Sequence, residues 1–316
     1  MLGEWMEREI RQQPGALRDQ CESYKRQAES ALAGASFDMA LLIARGSSDN
    51  AALVARYWLE VFAGIPVSLA APSVLTRYGA SMKYPKCLAI GISQSGAAPD
   101  VAEVLGRLRA EGHTTVAITN TAGSRVTEEA NHAILLEVGK EVSVAATKTF
   151  TASLLALYQI VRQIAPSMPD PSECLPGDEW LEFTRARAAE SSGEIVRNNP
   201  VFSLGRGFRY GIACETALKL MECALIPCKS YSTADFEHGP KALAGCGSAV
   251  IAFGGALPSL AAQGCEIVQA PIFDAPEPLQ PFGEVFFGQW LALTAARARG
   301  LNPDAPKHIR KVTETL

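Results

Sequence analysis

Cys87-Leu88-Ala89-Ile90-Gly91-Ile92, followed by Ser93-Gln94-Ser95-Gly96 and then Pro99-Asp100-Val101-Ala102-Glu103-Val104-Leu105, is the stretch that decides the fold. An apolar strand runs into a turn carrying two hydroxyls and an amide, and the turn opens a helix with proline in its first turn and acids near its start. A turn so placed offers an anion, phosphate above all, unpaired backbone N–H groups and the positive end of a helix dipole. The same order occurs upstream, where residues 39–44 run into Arg45-Gly46-Ser47-Ser48-Asp49-Asn50 and residues 51–62 carry apolar side chains at helical spacing. One such turn alone is commonly a helix cap. Two of them at strand ends in one domain point to binding, because open parallel sheets take ligands at the carboxyl ends of their strands.

Outward from these turns, residues 37–165 alternate strand and helix, with strand candidates at 39–44, 67–70, 87–92, 115–119 and 133–138. Alternation of this kind predicts a doubly wound parallel sheet in an α/β unit. Residues 1–36 read as an N-terminal helical arm in which Met6, Ile10, Leu17 and Tyr24 share a face. Residues 166–177, rich in proline and glycine, read as a linker. Residues 178–300 repeat the plan as a second α/β unit, with a strand at 201–204, a Gly205-Arg206-Gly207 turn, a helix at 211–225 and a later strand at 248–253. The stretch 254–279 leaves room for few elements, and the Gly-Arg-Gly turn is read as structural. Residues 301–316 form a C-terminal tail.

At 316 residues the chain exceeds one typical core and favours two domains. A net charge of −4 with acids and bases interspersed gives no basic field for nucleic acid or anionic lipid, so the expected partner is a small molecule. No signal-like N-terminus and no long apolar run is present, which leads to the expectation of a cytoplasmic enzyme that neither crosses nor binds a membrane. The eight cysteines show no CxxC and no metal-ligand spacing; they are expected to be reduced, with no metal and no cofactor.

The segment Cys214-Glu215-Thr216-Ala217-Leu218-Lys219-Leu220-Met221-Glu222 places Glu215, Lys219 and Glu222 on one helical stripe among apolar neighbours. The stripe is either a solvated pair worth a few tenths of a kcal/mol or a carboxylate set up for proton transfer. Of the four histidines, His238 in Phe236-Glu237-His238-Gly239-Pro240 sits in a sharp turn able to aim a side chain, whereas His113 and His132 flank strands and His308 lies in the basic tail.

Taken together, Arg45-Gly46-Ser47-Ser48, Ser93-Gln94-Ser95-Gly96, Val144-Ala145-Ala146-Thr147-Lys148, the 215–222 stripe, Glu237-His238-Gly239-Pro240 and the tail around Lys311 resemble the sugar isomerase, or SIS, domain family. The likeness is to the isomerase half of glucosamine-6-phosphate synthase and to stand-alone SIS-type deaminases, and it spans nearly the whole chain. It implies two SIS units, each a three-layer α/β/α sandwich around a doubly wound parallel sheet, with the helical arm and the tail added. It further implies that Gly46, Ser47, Ser48, Ser93, Gln94 and Ser95 hold a sugar phosphate, and that Val144 and Thr147 line the sugar. Glu222 would then be the base moving a proton between C1 and C2, His238 the ring-opening residue and Lys311 the amine that meets the carbonyl, with Glu215 and Lys219 flanking. Ala97, Ala98 and Ala146 depart from the family pattern of an acid, a threonine and a serine at these places.

The resemblance also implies a homodimer with shared active sites. Because no glutaminase nucleophile precedes Cys21, the expected reaction is the isomerising deamination of glucosamine 6-phosphate to fructose 6-phosphate and ammonia. An aminotransferase-like isomerase without the glutaminase, a deglycase of phosphorylated sugar–amine adducts and a non-catalytic sugar-phosphate sensor stay open as alternatives.

Overall fold

A computed structural model describes residues 1–255 and 257–311. In chain order the helices and strands are α1 (Glu4–Arg11), α2 (Gln13–Leu32), β1 (Met39–Ile43), α3 (Ser47–Trp58), β2 (Val67–Leu69), α4 (Ser73–Thr76), β3 (Cys87–Ile92), α5 (Pro99–Ala110), β4 (Thr114–Thr119), α6 (Arg125–Glu129), β5 (His132–Leu135), α7 (Lys148–Ile164), α8 (Asp178–Arg197), β6 (Val201–Gly205), α9 (Tyr210–Ala224), β7 (Cys228–Ser232), α10 (Thr233–Phe236), β8 (Ala249–Ala252), α11 (Pro258–Ala262), β9 (Glu266–Gln269) and α12 (Gln280–Ala298). They form two compact units. One holds residues 16–140 and 149–172; the other holds residues 1–15, 141–148 and 173–311, so the described chain passes between units four times.

In the first unit five parallel strands lie in the order β2-β1-β3-β4-β5. Central β3 is buried along its whole length, which is why it reads as an unbroken apolar run rather than an alternation. Cys87 and Ala89 pack with Val101, Leu105 and Leu108 of α5 on one face, and Leu88, Ile90 and Ile92 are buried as well. Among the other helices, Tyr24 of α2 donates to the Leu136 carbonyl at 2.5 Å, and Trp58 of α3 meets Tyr158 of α7 edge-on at 5.0 Å.

The second unit repeats the order with one strand fewer: β7-β6-β8-β9, again all parallel. Phe202 and Leu204 pack with Phe236 of α10 and Leu260 of α11, while α9 covers β6 and β7 and is itself packed by α12. The two doubly wound parallel sheets flanked by helices are the expected α/β architecture.

Three sequence expectations change in detail. The arm 1–36 is two helices, α1 and most of α2 falling in different units, although Met6, Ile10, Leu17 and Tyr24 are all buried as their spacing implies. The proline-rich 166–177 contains a short 3₁₀ turn, Pro171–Glu173, within which the chain changes unit. β7 is a strand the sequence does not lead us to expect, whereas 254–279, expected to hold few elements, carries among its described residues only the short α11 and β9 besides a 3₁₀ turn at Glu277–Leu279.

A buried ion pair ties α12 to the turn before α9: Arg209 Nε donates to both carboxylate oxygens of Glu284 at 2.9 Å. Burial pushes the Glu284 carboxyl up to about 7, against the pull of Arg209. Between its ordinary value near 4.5 and 7 the folded protein therefore binds more protons than the unfolded chain, so stability falls as pH rises across that window. Glu284→Gln is expected to flatten the fall, which is of order a few kcal/mol, in urea melts between pH 4.5 and 7.5. Parallel pH profiles for the two proteins would show that Glu284 is not the titrating group.

Candidate active site

The first-sheet unit has its strand-order reversal between β1 and β3, where loops leave the sheet in opposite directions and open a crevice. The two serine turns border that point. α3 begins at Ser47, with Gly46 as the preceding residue, so the backbone N–H groups of Ser47 and Ser48 belong to the first turn and have no acceptor within the helix. After β3 the chain bends at Ser93, which is nearly buried, while Gln94 and Ser95 are half-exposed. Ser95 Oγ accepts from the Ala97 N–H at 3.3 Å, and the Gly96 N–H donates to the Ser93 carbonyl at 3.1 Å. Only glycine fits at 96: its φ is 68°, and a Cβ there would stand 2.1 Å from Ser124 Oγ.

An ion pair absent from the sequence reading joins the two turns. Arg45 Nε donates to Asp100 Oδ2 at 2.7 Å, and the other oxygen of this buried carboxylate accepts from the Val101 N–H at 2.9 Å. Asp49, in the first turn of α3, is held above the ordinary carboxylate range by burial, with Arg45 pulling the other way.

In the second unit α9 carries the 215–222 stripe. It is not a solvated pair: Glu215 and Lys219 are buried, with Lys219 Nζ 3.4 Å from Glu215 Oε1 and hydrogen-bonded to Glu222. Burial opposes the charge on Lys219, yet Glu215 and Glu222 outweigh it and hold the ammonium above the ordinary lysine value. Glu222 alone of the three reaches solvent, with a quarter (25%) of its side chain exposed. The neighbouring Cys223 thiol is pushed up to about 12 by burial and is inert at neutral pH.

The segment 141–148 of this unit is clamped from several directions. Buried Glu141 accepts from the Thr147 N–H at 2.9 Å and from Thr147 Oγ1 at 3.3 Å, and its second oxygen accepts from Lys311 Nζ at 2.7 Å. Glu9 of α1 accepts from the N–H groups of Val142 and Ser143. Lys148 Nζ donates to Gln12 Oε1 at 2.8 Å, and Gln289 of α12 donates to the Thr147 carbonyl at 3.4 Å. Burial pushes Glu9 up and Lys148 down. Thr147, expected at the sugar, is fully buried with its hydroxyl engaged by Glu141, whereas Val144 is half-exposed.

The tail docks on α1. Asp304 accepts from the N–H groups of Trp5 and Met6 at 2.9 and 3.0 Å, and Asn302 accepts from Gly3 at 2.9 Å. Lys311 thus lies at the end of an anchored segment; residues 312–316, part of the tail likeness, lie outside the described residues.

His238 follows α10 in a turn closed by its N–H donating to the Asp235 carbonyl at 3.1 Å, and its imidazole is exposed. Among the described residues no cluster of three or more His, Cys, Asp or Glu could hold a metal, and no helix is long and apolar enough to cross a membrane.

A doubly wound sheet with serine turns at its switch point defines a class, and residues 37–162 match it directly: they are a SIS domain. It is similar to glutamine–fructose-6-phosphate aminotransferase [isomerizing] of Methanothermobacter thermautotrophicus, 31% identical over 344 aligned positions that cover 97% of this chain. The chain spans 57% of that relative's length. Two solved structures share the fold: the C-terminal domain of glucosamine-fructose-6-phosphate aminotransferase from Francisella tularensis (TM-score 0.80, 23% identity, 94% of this chain and 97% of that one) and glucosamine-6-phosphate deaminase from Thermotoga maritima (TM-score 0.83, 22% identity, 99% and 100%).

Proposed function

We propose that the protein is an isomerising aminosugar-phosphate deaminase, converting glucosamine 6-phosphate to fructose 6-phosphate and ammonia. The observation that carries this reading is the α9 stripe, in which one buried ammonium holds two carboxylates and only Glu222 meets solvent. Aldose–ketose isomerisation needs one base that takes a proton from a carbon and returns it to the next, and a carboxylate oriented by a buried lysine is fit for that task. The names of the relatives support the substrate class: each acts on, or makes, a 6-phosphate of glucosamine or fructose.

In this reading the serine turns take the phosphate, through the hydroxyls of Ser47, Ser48, Ser93 and Ser95, the amide of Gln94 and the backbone at Gly46. Val144 lines the sugar, and Thr147 acts by keeping Glu141 in place. Glu222 takes the proton from C2 of the open-chain amino aldehyde and returns it to C1. The product is a 2-imine that water hydrolyses to the ketose phosphate and ammonia. Lys311 meets the carbonyl carbon, as an amine beside a carbonyl can. Glu141, which the sequence reading missed, holds that lysine. His238, exposed on its own chain, assists ring opening across a homodimer interface.

Purified protein given glucosamine 6-phosphate is expected to release ammonia and fructose 6-phosphate in equal amounts, and to run backward with fructose 6-phosphate and ammonium. A phosphorylated sugar–amine adduct assayed in parallel separates a deglycase. No product from the amino sugar overturns the proposal.

Removing the phosphate hydroxyls tests the cradle. Ser48→Ala with Ser95→Ala is expected to raise KM by about tenfold or more while kcat changes little, because a hydrogen bond to a charged acceptor, about 1.5–3 kcal/mol, is made in ground and transition states alike. Calorimetry showing wild-type affinity in the double variant would displace the phosphate from these turns.

A further inference from the structure

The second sheet repeats the strand order of the first, so it has a switch point of its own, between β6 and β8. The loops leaving those strands border a cavity of about 480 Å³, within the range of about 300–1,000 Å³ common for small-molecule sites. None of the residues assigned above to isomerisation lines it.

Where the first sheet brings hydroxyls to this position, the second brings guanidiniums. The Arg206 side chain is exposed and makes no hydrogen bond or ion pair with another described residue. Arg209 is 15% exposed and held rigid: Nε is taken by Glu284 and Nη2 by Gln280. That leaves Nη1, which lies 4.0 Å from where a Cβ would stand on Gly254, another residue lining the cavity. Gly254 has φ 114°, and beside Gly207 and Gly255 no described atom stands within 4 Å of a Cβ position, so no described side chain fills the space there. Glu277, exposed at the rim, is the one acid among the described lining residues.

We propose that this crevice is a second anion site, suited to the phosphate of a small phosphomonoester, with Arg206 and Nη1 of Arg209 as its donors. A fixed guanidinium beside a mobile one recognises a phosphate through several charge-assisted hydrogen bonds. The Gly205-Arg206-Gly207 turn then has a ligand as well as a structural role.

The test is calorimetric titration of the purified protein with inorganic phosphate at low ionic strength. Wild type is expected to take two phosphates per chain. Arg206→Gln and, separately, Gly255→Glu are expected to weaken one of them by about tenfold or more, with unchanged circular dichroism because both positions are exposed. The Ser48→Ala, Ser95→Ala protein keeps that site. If neither crevice variant alters any phosphate affinity, the proposal falls. A single site lost only in the serine variant likewise overturns it while leaving the cradle intact; a single site lost only in the crevice variants supports it and removes the cradle instead.

Discussion

Glu222→Gln is expected to slow proton exchange at C2 of glucosamine 6-phosphate by about 10²–10⁴-fold, the usual contribution of a positioned general base. The amide keeps the shape of the carboxylate and can still accept from Lys219, so the α9 stripe stays assembled while basicity is lost. KM should therefore change little, and the loss should fall on kcat. Deuterium uptake from heavy water, read by mass spectrometry of recovered substrate and product, is the direct measurement. Exchange at the wild-type rate in this variant moves the base away from α9 altogether, since Glu215, the next acid on the stripe, is buried.

Lys219→Met is expected to have the largest effect on stability. Methionine fills the space of the buried stem but leaves Glu215 and Glu222 without the ammonium they share. Breaking a buried ion pair from one side costs about 3–5 kcal/mol, because the remaining charge stays buried without compensation. The sign with pH follows from the raised folded value of Lys219. Its contribution is fully present below the unfolded lysine value, about 10.4, and is lost only as pH rises through the still higher folded one. The gap between wild type and variant in guanidinium melts should thus persist through pH 7–9 and close only in strong alkali. Equal midpoints at pH 8 would mean that the stripe relaxes without its lysine.

Much of the fold was legible because the central strands are buried on both faces. β1 and β3 read as continuous apolar runs, and the structure places them within a residue of where the composition changes. The strands the sequence concealed are edges. β7, Cys228-Lys229-Ser230-Tyr231-Ser232, is polar because one side of its ladder is open, and β9, four residues long, sits in a stretch dominated by glycine, proline and alanine. Local motifs were legible for the same reason that α9 was: side chains four apart on a helix must share a stripe. Glu141 and the Arg45–Asp100 pair were not, because their partners lie 170 and 55 residues away and no periodicity connects them. A buried acid such as Glu141, beside an otherwise small and apolar loop, is the one signal that could have marked it.

The interleaving of the two units sets an order on their birth at the ribosome. Residues 16–140 and 149–172 of the first-sheet unit emerge well before α12, but α1 packs on α12, some 270 residues further along the chain. At translation speeds of about 5–20 residues per second, the first helix waits on the order of 15–60 s for its partner. Its apolar face, with Met6 and Ile10, is uncovered for that time. The nascent chain therefore offers chaperones a binding segment in α1 until α12 emerges. A circular permutant that begins near residue 16 and carries residues 1–15 after the tail would shorten that wait to seconds.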